Sequence, residues 1–405
     1  MSAAAHPSSD ERTAARQALV VVAVGVCCAL HVGKLPAAIP ALQSALGLGL
    51  VQAGFLLSLV QLAGMTLGLW VGLAADRLGP RRVMLVGLCL LAAGSALGAL
   101  APGVGALLAT RVLEGLGFLL AVLPAPGLLR RCVQHPPTLA RALGWWGAYM
   151  PVGMALALLG GTALIAWVGW RGLWLLLALL SLAAALALRR WVPVETDAPA
   201  AAESPAGIGA RLRRTLTAPA PMLLALAFFC YSGQWLAVVG FLPTIYAEAG
   251  LGGAVAGALA ALVAGINMTG NIASGRLVAR GVRPGALLAA GYAVMGLGAW
   301  MTFAASGMPW LQLLAVLVFS SVGGLIPGTL FGLAVVLAPG RDTVSTTVGW
   351  MQQWSSLGQF VGPPLVAWLA TRVGGWHWTW VLTGLASLCG LWLAWRLQSA
   401  WSASR

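Results

Sequence analysis

Gly72-Leu-Ala-Ala-Asp76-Arg77-Leu-Gly79-Pro80-Arg81-Arg82 lies between two long apolar runs. A weaker copy, Gly275-Arg276-Leu-Val-Ala279-Arg280-Gly281-Val-Arg283, begins 203 residues later (275 − 72). A short basic turn repeated at half the length of an apolar chain points to two copies of one helical bundle.

Composition sets the solvent. The chain has 405 residues, of which 60% are hydrophobic and 8% charged, and its mean hydropathy is +0.91. Soluble globular chains average about 25% charged residues, so this chain cannot cover a surface facing water. Lipid must be its solvent, and spans in lipid are helices or closed barrels. Runs such as Gln17–Pro36, Val83–Ala101 and Leu173–Leu188 are continuously apolar without alternation, which selects helices. The fold class is therefore all-α and integral to a membrane.

The six cysteines (Cys27, Cys28, Cys89, Cys132, Cys230, Cys389) are scattered, with no Cys-x-x-Cys or Cys/His spacing. They read as small packing residues, and neither a metal site nor a disulfide is expected.

Apolar stretches separated by Pro, Gly or Arg clusters give twelve expected spans. They are 17–42, 51–75, 82–101, 104–129, 141–166, 171–190, 220–246, 253–277, 284–305, 310–337, 343–371 and 377–397. Each reaches the roughly 20 residues needed to cross hydrocarbon. An even number puts both termini on one side. The chain holds 23 Lys and Arg; only Arg171 and Arg372 fall on the far side, and Lys34 and Arg111 fall inside spans. The other 19 (23 − 4) lie on the side of the termini, which the positive-inside rule makes cytoplasmic. The net charge of +14 is thus a topology signal, and no nucleic-acid partner is expected. The first span lacks a clear cleavage site and reads as an uncleaved helix. Residues 191–219, rich in Ala and Pro and ending in Arg211, Arg213 and Arg214, read as a cytoplasmic linker between bundles 1–190 and 220–405.

Further landmarks recur at nearly one offset, 205 to 207 residues on. Gly33-Lys-Leu-Pro36 returns as Gly240-Phe-Leu-Pro243, and Gly144-Trp145 as Gly349-Trp350. Trp170-Arg-Gly-Leu-Trp174 returns faintly as Trp376-His-Trp-Thr-Trp380. With these features the chain resembles the major facilitator superfamily over nearly its whole length. The signature of that family after span 2 is matched by Gly72, Asp76, Arg77, Gly79, Arg81 and Arg82; Pro80 departs from it, and Ala279 replaces the acid in the second copy. Arg111-Val-Leu-Glu114-Gly115-Leu-Gly117 on span 4 is similar to the family's Arg-x-x-Gln-Gly-x-Gly. The resemblance implies twelve helices as two pseudo-symmetric six-helix bundles. It also implies that the loop residues act as a conformational motif, and that spans 1, 4, 7 and 10 line a central cavity.

Charge inside hydrocarbon costs roughly 2.5–3.5 kcal/mol on insertion scales, so each instance needs a reason. Four such residues occur: His31 and Lys34 on span 1, Arg111 and Glu114 on span 4. Lys34 is the only lysine, and His31 shares its helical face. Lys34 either holds an anionic substrate with help from His31 or snorkels to the outer interface. Arg111, a further candidate for substrate binding, and Glu114, three apart, can pair, and Glu114 with His31 is the candidate for proton coupling. Gln234, Asn267, Asn271 and Gln352 are neutral candidates for substrate binding, the two Asn alternatively for bridging helices.

A net positive cavity suits a small organic or inorganic anion. A basic residue close to Pro on span 1 also resembles the cyanate/nitroimidazole-type transporter branch, whose members carry Arg there. The expected activity is secondary transport of such an anion across the inner (plasma) membrane by alternating access, driven by the proton gradient, in a functional monomer without cofactor. Proton-coupled efflux of drug-like compounds is the alternative, and a transporter-shaped sensor a more distant one. No nucleophile–base or metal constellation suggests an enzyme.

Overall fold

The computed structural model describes residues 9–193, 207–304 and 308–403. The helices are α1 (Ser9–Leu46), α2 (Leu50–Ser58), α3 (Leu62–Leu78), α4 (Pro80–Ala99), α5 (Val104–Val122), α6 (Ala125–Cys132), α7 (Pro136–Gly147) and α8 (Tyr149–Trp191). They continue as α9 (Ile208–Thr217), α10 (Pro219–Glu248), α11 (Gly253–Ala279), α12 (Pro284–Ala304), α13 (Pro309–Gly323), α14 (Leu325–Leu337), α15 (Val344–Val373) and α16 (Thr379–Ala403). There is no strand among the described residues.

Ten helical stretches are long and apolar enough to cross a membrane, against the twelve spans expected. The difference has two sources. Expected spans 5 and 6 run together in α8, whose backbone turns left-handed at Gly169 (φ 70°), a conformation a side chain would resist. The second source is α15, which is 30 residues long but diluted by Gln352, Gln353 and Gln359, so it stands outside the ten.

The basic turns are built on glycine. Gly79 ends α3 and Gly281 follows α11, both at φ 89°. Pro80, the departure from the family signature, takes the first position of α4, where its missing N–H has no role. Arg81 is buried and its Nη2 donates to the carbonyl of Arg189 at 2.8 Å, in the last turn of α8. Arg171 does the reverse at the opposite end: Nε and Nη2 donate to the carbonyls of Ala99 and Ala101, each at 3.1 Å, past the end of α4. Arg82 is exposed. The side chains of Asp76 and Arg77 lie outside the described residues, as do linker residues 194–206; α9 forms the described end of the linker and binds Asp342 through Arg214.

Two main seams join the helices before residue 193 to those after residue 207, beside a smaller contact of α1 with α10. In one, α2 and α3 meet α15; in the other, α8 meets α11. Both widen toward the end that carries the termini. A β-carbon added to Gly257 would stand 2.2 Å from Thr162 Oγ1; one on Gly265 would stand 3.5 Å from Ala155, and one on Gly275 would meet nothing described within 4 Å. Along the other seam, Gly54 would meet Pro364 at 2.8 Å and Gly64 would meet Ser356 at 2.4 Å, whereas Gly68 would stand 3.9 Å from Gln353. The molecule is closed at one end and spread at the other.

Candidate functional site

The four charged or titratable residues read from spans 1 and 4 converge on one point. His31 and Lys34 share a face of α1, and Arg111 and Glu114 share a face of α5. All four are buried, with exposures of 0%, 0%, 2% and 1%. Lys34 Nζ donates to Glu114 Oε1 and, at 2.9 Å, to Ser95 Oγ; His31 Nδ1 lies 3.4 Å away. The ammonium also sits 4.4 Å from the ring centroid of Trp174, where the π face stabilises a cation.

Arg111 takes the other carboxylate oxygen. Its Nη1 donates to Glu114 Oε2 at 2.5 Å and to the carbonyl of His31 at 2.7 Å, and its Nε donates to the carbonyl of Leu56 at 3.1 Å. Nη2 is buried without a partner. His31 Nε2 lies 2.8 Å from Ser181 Oγ. With His31 neutral the cluster carries two cations and one anion, a net charge of +1, sealed among α1, α4, α5 and the second arm of α8. Lys34 therefore neither reaches the outer interface nor faces open space in this conformation. Its location within α1 could be read from the sequence, but the direction of its side chain could not.

Gly94 explains how the carboxylate comes so close. A β-carbon there would stand 2.9 Å from the Glu114 side chain, so α4 and α5 touch only because the position is glycine. Ser95 beside it donates to the carbonyl of Trp174 at 2.8 Å while accepting from Lys34, which ties α8 into the cluster. Ser95, Trp174 and Ser181 were missed in the sequence because single Ser and Trp residues in apolar runs carry no periodic signal.

The neutral candidates form separate groups. Asn267 Nδ2 donates to Tyr231 Oη at 3.0 Å and to the carbonyl of Ser320 at 2.8 Å. Asn271 Nδ2 donates to Asn267 Oδ1 at 3.0 Å, and Trp235 Nε1 donates to Ser320 Oγ at 3.1 Å. This network bridges α10, α11 and α13. Gln234 is buried and accepts from Ser387 Oγ at 3.1 Å. Gln352 is half-buried on α15, on the same face as Gln359 seven residues on. Gln61 Nε2 donates to Gln359 Oε1 at 3.0 Å, and Gln353 Nε2 to the carbonyl of Met65 at 2.7 Å, so amides stitch one seam. No cluster of three or more potential metal ligands occurs among the described residues.

Polar pairs recur at one spacing along the chain. Ser181 beside His31 and Ser387 beside Gln234 are 206 residues apart, as are Glu114 and Ser320 (387 − 181; 320 − 114). The first polar core is charged and the second neutral.

Comparison with known proteins agrees with this fold. The Major Facilitator Superfamily model matches residues 21–355. The puromycin resistance protein pur8 of Streptomyces alboniger is 31% identical over 38% of this chain and 30% of its own length. The tetracenomycin C resistance and export protein of Streptomyces glaucescens is 34% identical over 46% of this chain and 35% of its own. The matched stretches thus span about a third of each of these relatives. Among solved structures, a bacterial homologue of the human lysosomal transporter Spinster, in an inward-facing and occupied conformation, superposes with a TM-score of 0.74. It is 12% identical, with 96% of each chain covered. A family model spanning most of the chain, over a fold of long apolar helices, shows that the chain belongs to the major facilitator superfamily, a family of transporters.

Proposed function

We infer that this transporter exports lipophilic organic molecules, uncharged or cationic, by rocking bundles 1–190 and 220–405 about the two seams, with protons as the driving ion. Both termini are read as cytoplasmic, so the spread end opens inward. The observation that carries the reading is the sealing of Lys34. An anion site needs a cation facing the path, and this ammonium is held by Glu114, Ser95 and the Trp174 ring at 0% exposure. The α2–α15 seam instead offers neutral amides, Gln61, Gln359 and, on the face of Gln359, Gln352, while Phe228 and the part-exposed Phe331 meet edge to face at 5.6 Å between α10 and α14. The resistance proteins among the relatives support the same class.

Glu114 is the proton site of this mechanism, with His31 beside it. Protonating the carboxyl would leave Lys34 and Arg111 without their counterion, a state the cluster relieves by rearranging. Arg111 grips the Leu56 carbonyl near the seam, so a shift in the cluster reaches Gln61 and its partner across the interface. The test is drug resistance in a host deleted for efflux pumps. Wild type should raise tolerance to puromycin and to a planar aromatic dye, and Glu114→Gln should abolish it at equal expression. Unchanged tolerance with wild type at the membrane would overturn the reading.

The partnerless Nη2 of Arg111 favours a second reading, the small anion. Thermal-shift screening of monocarboxylates and cyanate against wild type and Lys34→Gln decides it. Stabilisation confined to the wild type would restore the anion.

A further inference from the structure

A cavity of about 100 Å³ lies between α10, α15 and α16, away from the charged cluster. Its floor is bare backbone. A β-carbon on Gly362 would stand 2.3 Å from the Gly233 carbonyl and one on Gly358 2.4 Å from that of Phe229, so α10 and α15 touch without intervening side chains. Its mouth is formed by Val361 and Leu365, which are 39% and 41% exposed.

One polar group in the lining is unsatisfied. Gln234 is 4% exposed; its Oε1 accepts from Ser387, and its Nε2 has no partner. The hydroxyl in the lining, that of Thr383, donates to the carbonyls of Thr379 and Trp380. A buried donor without a partner is costly and calls for an acceptor.

Depth selects the occupant. Gln234 stands 15 residues after Pro219 and 14 before Glu248 in α10, about 22 and 21 Å along a helix rising 1.5 Å per residue. It stands halfway along this span. The ester carbonyls of a phospholipid sit at the edge of the hydrocarbon, about 15 Å away for a core about 30 Å thick, and cannot reach it. A lipid tail can fill the cavity but offers no acceptor.

We propose that this crevice binds uncharged lipophiles dissolved in the bilayer core that carry a carbonyl or ether oxygen, with Gln234 Nε2 donating to that oxygen. A cavity of about 150 Å³ holds benzene, so this smaller one takes a single arm or ring edge, and the remainder stays in lipid. The site is separate from the export path inferred above and does not depend on that reading.

The test uses full-length protein in lipid vesicles and two diazirine probes of equal length, a long-chain dialkyl ketone and the matching alkane. After photolysis, peptides containing Val361–Leu365 and Leu382–Ala386 are quantified. The expected result is several-fold more labelling of these peptides by the ketone than by the alkane in wild type, a comparison that needs no variant to fold. Gln234→Leu should reduce the ratio to one, and Ala386→Leu should suppress both probes. Equal labelling of wild type by the two probes would overturn the proposal and leave an acyl-chain groove only. Labelling no stronger than at other lipid-facing helices would overturn it as well. Neither result bears on export, which the resistance assay reads separately.

Discussion

Nε of Arg111 donates to the carbonyl of Leu56 at 3.1 Å, beside the point where α2 tightens into a 3-10 turn, Leu59–Gln61. Changes from α to 3-10 bonding release carbonyls for side-chain donors. Gly115, next to Glu114, packs on this turn so closely that a β-carbon would stand 2.6 Å from the Val60 carbonyl. Gln61, the last residue of the turn, crosses the seam to Gln359. The charged cluster and the seam are thus separated by one turn of helix.

That path predicts coupling. Gln61→Leu and Gln359→Leu each remove one side of the cross-seam hydrogen bond, leaving the other amide unpaired at a cost of about 1–3 kcal/mol, whereas replacing both leaves no orphan. A double-mutant cycle on thermal stability in detergent should give a coupling energy of at least about 0.5 kcal/mol. Strict additivity would show that the bond contributes nothing to the closed seam.

The cluster predicts an order of stabilities. Glu114→Gln leaves Lys34 and Arg111 buried without a counterion, and breaking a buried pair in this way costs about 3–5 kcal/mol. Lys34→Met leaves Arg111 with Glu114, a neutral pair, and should cost less than half as much. Thermal unfolding followed by tryptophan fluorescence reads both, and the reverse order would rule out the charge balance described here.

Reciprocal clamps predict different tolerance of lysine. Arg81 uses one nitrogen on one carbonyl, whereas Arg171 uses two on the carbonyls of Ala99 and Ala101. Lys can imitate the first but has no fork for the second. Arg81→Lys should therefore retain more stability, measured as the unfolding midpoint, than Arg171→Lys. Equal losses would contradict the two geometries.

The closed end predicts a block. Gly54→Val would push side-chain atoms into the backbone of Pro363 and Pro364, already 2.8–3.0 Å from an added β-carbon. The end that is shut here could not shut. Resistance should fall to background while membrane expression persists; full resistance would show that the seam yields at little cost.

Legibility in the sequence followed the range of the signal. Glycine turns, apolar runs and the offset of about 205 residues are local or repetitive patterns, and they located the helices and the family. The break between spans 5 and 6 is legible as well, and the backbone leaves helical geometry inside it, at Gly169 (φ 70°). The amides of α15 were noticed, yet they also lowered its apolarity below that of its neighbours. At the site, cost in hydrocarbon singled out His31, Lys34, Arg111 and Glu114. The contact between Lys34 and Glu114 joins residues 80 apart, and such partners are set by how helices cross rather than by spacing along either one. The bridging of Asn267 to Tyr231 and Ser320 was one of two open readings, and only packing separates them.

The separation of Lys34 from Glu114 also bears on biogenesis. At roughly 5–20 residues per second of synthesis, 80 residues of chain take about 4–16 s. During that interval the first helix holds an ammonium in or near the bilayer before its carboxylate has left the ribosome. Lys34 gains its counterion only when the fourth span docks on the first, so its burial as a compensated charge waits on that docking.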